Sequence, residues 1–276
     1  MRVRPSLRKL PATKSGTRVA FGAALALATG LASLAAVQPA AHAAIRQCNG
    51  YQPLFDGFYS DPNPQTGIEG VSGHIRVEDG SLCTIGSGAY NTTSSWVMIE
   101  SPSAGGLAQV GFWRYPTWSG PLGDPQYFYE FGATNAGSPV GWHTGVPAGS
   151  THRFWVQWVN NGCPSGLFGC FAFNIDTTRI AVSNFNPYSA WGDPNNRATV
   201  WNMQFFGETH DNSTDIMGSN TGGVATVWSS LQAQDAGTDG YRSFTCNLTA
   251  RVDSNRYGLN YPSNKGCGTW STYTKA

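Results

Sequence analysis

His152-Arg153-Phe154-Trp155-Val156-Gln157-Trp158-Val159-Asn160 is the stretch that decides the fold. Phe154, Val156 and Trp158 alternate with Trp155, Gln157 and Val159, a period of two that belongs to a β-strand and not to a helix. Its rings and Val suit a pleated surface. Working outward, similar runs bounded by Gly, Pro, Asn and Ser recur at Ser72–Glu78, Ser95–Glu100, Leu107–Tyr115, Gln126–Gly132 and Cys170–Asp176. Others follow at Arg179–Phe185, Thr199–Thr209, Val224–Gln234 and Phe244–Val252. About ten short strands with no helical pattern between them predict an all-β chain, an antiparallel β-sandwich of jelly-roll or concanavalin-like type. Residues 44–70, with Pro53, Pro62 and Pro64, read as an irregular lead-in. The predicted organisation is a leader at 1–43, a lead-in with the first strand or strands at 44–90, and the sandwich at 91–276.

The leader is read from three features in order. Six basic residues and no acidic one occupy positions 2–18, an Ala/Leu-rich run spans Val19–Val37, and Ala41-His42-Ala43 offers a small-x-small cleavage site. That order predicts a secretory signal peptide, with an uncleaved anchor as the alternative, and hence a secreted protein. Cleavage after Ala43 leaves 233 of the 276 residues and turns the formal charge from +1 to −5. Only Lys265 and Lys275 remain as lysines, so binding of nucleic acid through phosphate neutralisation is not expected. No other apolar run reaches the roughly 18–20 residues that span a bilayer, so no membrane contact is expected once the leader is gone. All ten Trp and all six Cys follow residue 43. An even cysteine count in an exported chain predicts disulfides, and pairing of neighbours gives Cys48–Cys83, Cys163–Cys170 and Cys246–Cys267, one of 15 possible sets. A zinc site is the rival, but there is no C-x-x-C and no His at ligand spacing.

Parity then sorts the side chains. Leu107, Gln109, Gly111 and Trp113 share a face; so do Gln126, Phe128 and Glu130, and Asn202, Gln204, Phe206 and Glu208. Trp155 and Gln157 form a similar set. Rings mixed with amides and carboxylates suit a concave binding surface, and equally a second core covered by loops. Five Glu follow residue 43: Glu69, Glu78, Glu100, Glu130 and Glu208. Glu208 closes an aromatic strand, where lost hydration favours a protonated carboxyl and proton transfer. Other chemistries are thinner. Glu208 and His210 share a strand face but lack an evident third metal ligand, with Asp211 or Asp215 a guess. A Ser/His/Asp triad has no G-x-S-x-G to carry it. Asn91, Asn212 and Asn247 begin glycosylation acceptor triplets. Stacking faces over amides also suit polysaccharide, so a carbohydrate-binding or carbohydrate-active sandwich is the competing function.

Leu107-Ala-Gln-Val-Gly-Phe112 followed by Tyr127-Phe-Tyr-Glu-Phe131 resembles paired strands of secreted glutamic peptidases, with a Gln before Gly as in the eqolisin type. Gly207-Glu208 followed by Ile216-Met-Gly-Ser219 resembles the Gly-Gly-Glu and Met-Gly-Ser of the neprosin type. The resemblance spans roughly Ser95–Gln234. It implies a β-sandwich and an acid-active endopeptidase with Gln109 and Glu208 as a hybrid catalytic dyad. Peptide or protein would be bound by Glu130, Trp113, Trp155, Phe206 and Gln204, by a monomer without cofactor or metal. Gln204, three residues after Trp201, offers a second alignment to the eqolisin Glu, in which the dyad would have lost its carboxylate.

Overall fold

The structure is a computed structural model. It describes residues 53–60, 67–80, 92–114, 125–134, 140–209, 225–237, 240–243, 248–261 and 268–274, together with the backbone of 46–47, 83–85 and 89–90. At 142–144 only the backbone is described. The expected leader, Asn91, Cys48, Cys246, Cys267, His210, Asp211, Asn212, Asp215, Met217-Gly-Ser219 and Asn247 lie outside these residues, as does the side chain of Cys83.

Among the described residues the chain runs β1 (Arg46–Gln47), β2 (Leu54–Ser60), β3 (Ile68–Arg76), β4 (Cys83–Ile85), β5 (Ala89–Tyr90), β6 (Thr93–Ser101), β7 (Gly106–Arg114), β8 (Gln126–Gly132) and β9 (Val140–Gly145). It continues with β10 (Thr151–Val159), β11 (Cys170–Ile175), β12 (Thr178–Val182), α1 (Pro187–Trp191), β13 (Asn202–Thr209), β14 (Thr226–Asp235), β15 (Tyr241–Arg242), β16 (Leu248–Val252), β17 (Tyr257–Asn260) and β18 (Trp270–Thr274). Two antiparallel sheets form the sandwich. One is ordered β16-β2-β13-β6-β7-β8-β9; the other is ordered β12-β11-β10-β3-β14-β18-β17, with β15 beside β14. A small third sheet joins β1, β4 and β5.

The alternation read from the sequence assigns the core. Val97, Ile99, Val110, Phe112, Met203 and Phe205 of the seven-stranded sheet meet Val71, Ile75, Phe154, Val156, Phe171 and Phe173 of the other, all buried. Burial of this much apolar surface is the main stabilising term, about 25 cal/mol per Å². All ten predicted runs contain strands, and Cys163–Cys170 is a disulfide with a Cα–Cα distance of 5.7 Å.

The stretch expected to be irregular differs. Within 44–70, Leu54–Ser60 is an interior strand, hydrogen-bonded to β13 on one side and β16 on the other. Asp56 and Gly57 break its apolar alternation, so its strand character comes from tertiary pairing and not from local pattern. Gly57 has a specific reason: a Cβ there would stand 2.7 Å from Cδ1 of Phe206.

Candidate functional site

A seven-stranded sheet with one face on the core presents the alternate residues on the other. Register lines them up across the strands. Glu130, Gln109, Met98, Gln204 and Tyr59 form one row, contributed by β8, β7, β6, β13 and β2. The next row is Phe128, Gly111, Trp96, Phe206, Gly57 and Arg251. The one after that is Gln126, Trp113, Ser94, Glu208 and Phe55. In the middle row two positions are glycine, and this leaves room for the rings between them. A Cβ on Gly111 would lie 2.8 Å from Cβ of Trp96. Trp96 and Phe206 pack edge to face, centroids 5.5 Å apart, and Phe55 closes on Phe206 at 5.8 Å.

Over this floor lies a cavity of about 360 Å³ lined by Phe55, Trp96, Met98, Glu100, Leu107, Gln109, Glu130, Gln204, Glu208 and Arg251. Four of the sequence-derived residues therefore share one cavity: Gln109, Glu130, Gln204 and Glu208. Gln109 is buried and its Nε2 donates to Oε2 of Glu130 at 2.5 Å. Glu208 accepts through Oε2 from Trp96 Nε1 at 3.1 Å and from Ser94 Oγ at 3.3 Å. Glu100 accepts from Asn202 Nδ2 at 3.5 Å. Arg251 lies over the Phe55 ring at 4.6 Å and holds Asp253 with two contacts of 2.7 Å.

The rows also fix how far apart these groups stand. Strands lie about 4.8 Å apart and residues rise about 3.3 Å each, which puts the Cα atoms of Gln109 and Gln204 about 10 Å apart, directly across β6. Glu208 is four residues further along β13, so its Cα lies about 16 Å from that of Gln109 by the same geometry. Gln109 and Glu208 thus line one cavity two rows apart, whereas the side chains of Gln109 and Glu130 touch.

The remaining predicted contacts separate. Phe206 is buried in the floor, 1% exposed. Trp113 is on the same sheet face, its ring tilted against Phe128 at 5.7 Å, outside the cavity lining. Trp155 does not join the site. It belongs to β10, on the outer face of the other sheet, where its Nε1 donates to the Asp176 carbonyl at 3.0 Å and its ring meets Arg153 and Tyr241. Parity gave its face correctly but does not say which sheet a strand enters. Phe55, Trp96, Met98, Glu100, Leu107 and Arg251 join the cavity without having been singled out as ligands. Parity in Ser95–Glu100 groups Trp96, Met98 and Glu100, which was the available signal.

A Ser/His/Asp chain does form, outside the cavity lining. His152 Nδ1 lies 2.8 Å from Asp176 Oδ2, and its Nε2 lies 3.0 Å from Ser150 Oγ. Ser150, however, gives its hydroxyl proton to the Pro147 carbonyl at 2.5 Å. The hydroxyl is thus engaged with the backbone of its own turn and not with the imidazole as a base. Burial pushes the Asp176 carboxyl up, but the bonds from His152 and the Arg153 N–H outweigh it and hold it below the usual range. Among the described residues no group of three or more His, Cys, Asp or Glu is arranged to hold a metal ion.

No family model matches the chain, and no curated protein matches it. Solved structures do resemble it. Two are of scytalidoglutamic peptidase. One carries a peptide-based transition-state analogue (13% identity, 83% of this chain and 100% of that chain, TM-score 0.44); the other carries a transition-state analogue inhibitor (14%, 83% and 100%, TM-score 0.48). A third is SCP-B, a member of the eqolisin family of peptidases, in complex with the tripeptide Ala-Ile-His (13%, 83% and 100%, TM-score 0.42).

Proposed function

We propose that the chain is a secreted, acid-active peptide hydrolase of glutamic type, with the substrate lying in the cavity over β6 and Gln109 at its reacting centre. The observation that carries this is the Gln109–Glu130 hydrogen bond of 2.5 Å inside a ring-walled cavity that also holds Glu208. Hydrolysis of an amide needs a base for water, an acid for the leaving nitrogen and a donor for the oxyanion. A carboxylate takes a proton from water as the water oxygen attacks the carbonyl carbon. The C–N bond then breaks, and the same carboxyl returns the proton to the nitrogen, giving an acid and an amine. Gln109 has two N–H groups; one binds Glu130 and the second is available for the oxyanion.

The sequence resemblance pairs Gln109 with Glu208. Direct contact favours Glu130 as the partner acting on the water, with Glu208, held by Trp96 and Ser94, orienting the far end of the substrate. Incubation of the mature protein with denatured substrate protein at about pH 3–6, with fragments mapped by mass spectrometry, tests the activity. Glu130→Gln and Glu208→Gln, made separately, assign the base. Cleavage that survives both substitutions at full rate, or its absence at every pH, would sink the hydrolase.

A second reading has its own observation. Gln204, an amide, stands in the same row as Gln109 where the alternative alignment wants a carboxylate. In that case the cavity binds an extended ligand without cutting it. Trp96 fluorescence then responds to peptide or oligosaccharide while no fragments appear.

A further inference from the structure

Among the described residues, the charges lining the cavity do not cancel: Glu100, Glu130 and Glu208 face Arg251, and that guanidinium is already gripped through both Nε and Nη2 by Asp253. The three carboxylates differ in how much of their hydrogen-bonding capacity the chain itself uses. Glu208 takes two donors and Glu130 takes a short one from Gln109. Glu100 takes one long contact of 3.5 Å from Asn202. Glu100 stands directly opposite Leu107 in the β6–β7 register, so an aliphatic surface adjoins a weakly engaged carboxylate at the same end of the cavity.

We infer that this end of the cavity, built from Glu100 and Leu107, is a subsite for the cationic side chain of a lysine or arginine in the bound peptide. The stem of such a side chain is four or three methylenes long and covers apolar surface, while its head seeks a carboxylate. Leu107 supplies the first surface and Glu100 the second. Glutamate or aspartate at the same substrate position would meet only like charge, so discrimination comes from repulsion as well as attraction. This rests on the peptide-groove reading above, whether or not the peptide is cut.

Three peptides of one sequence, differing only by Lys, norleucine or Glu at a central position, test it with the whole mature protein. Affinity is read from Trp fluorescence or calorimetry at pH 6 and low salt, and cleavage is followed in parallel. The Lys peptide is expected to bind about tenfold more tightly than the Glu peptide. A partly exposed charge pair contributes on this scale, and the ratio should shrink toward about twofold at 0.5 M salt. Glu100→Gln should lower the affinity for the Lys peptide several-fold, and Glu100→Arg should reverse the Lys/Glu order. Equal affinities for the three peptides at low salt, or a Lys/Glu ratio unmoved by both salt and Glu100→Gln, overturn the subsite while leaving the groove intact. Binding with the expected order but no fragments removes hydrolysis and keeps the subsite. Absence of any binding removes both.

Discussion

The outer faces of the two sheets both carry rings beside amides and charged groups, and use them in opposite ways. On the eight-stranded sheet, Arg153 donates from Nε to Ser72 Oγ at 2.7 Å and from Nη2 to Gln232 at 3.3 Å. Its guanidinium lies over both Trp155 and Tyr241, at 4.9 and 5.1 Å. Tyr241 donates to the Val156 carbonyl and Trp155 to that of Asp176. These groups are spent on one another and on the backbone. On the seven-stranded sheet, rings, amides and carboxylates of the same kinds surround open space. A mixture of rings and amides therefore does not by itself mark a site; what marks it is hydrogen-bonding capacity left facing a void.

The largest effect that tests this contrast is on activity. Gln109→Ala, or Glu130→Gln, is expected to reduce peptide cleavage about 10²–10³-fold, the cost of losing an oxyanion donor or an acid–base group. Trp155→Ala should leave kcat/KM within about twofold; a loss comparable to that of Gln109→Ala would mean that the two faces had been assigned the wrong way round. Next comes stability. Arg153→Met strands the partners of the guanidinium and should cost about 2 kcal/mol in urea unfolding, with cleavage unchanged below the transition.

A smaller effect follows pH. Burial, helped by neighbouring Asp79 and opposed by Arg76, pushes the Glu78 carboxyl up to about 7. The native state thus holds a proton that the unfolded chain releases near pH 4.5. The associated stability is complete below that pH and is lost as pH rises through about 7. Glu78→Gln should flatten the decline between pH 5 and 8 by about 1–2 kcal/mol, measured as a difference in unfolding midpoints. The smallest effect is at Trp113, where Trp113→Phe should shift peptide affinity by less than about threefold, because the ring packs on Phe128 beside the cavity and not in it.

Much of the fold was legible because sandwiches write their core as alternation. Phe154 and Val156 against Trp155 and Gln157 fall on the faces that parity assigned. The strands that escaped, β1, β2, β4, β5, β9, β15, β17 and β18, are short or broken by glycine, and pairing holds them in place. The cavity was half legible for a related reason. Parity groups Gln109 with Trp113 and Gln204 with Glu208, but says nothing about which strands are neighbours. Arg251 and Phe55 reach the cavity only because β16 and β2 pair beside β13. The same missing knowledge drew Trp155 toward a site on the other side of the molecule, and separated Gln109 from Glu208 by a strand and four residues.

Strand β6 is covered on both faces, by the core beneath and by Trp96 and Met98 above. The amides of Trp96 and Met98 should accordingly exchange with deuterium only when the whole sandwich opens, among the slowest in the chain. Whatever occupies the groove rests on an anvil, and any yielding on its arrival should register first at the rim, in the exchange of β16 around Arg251.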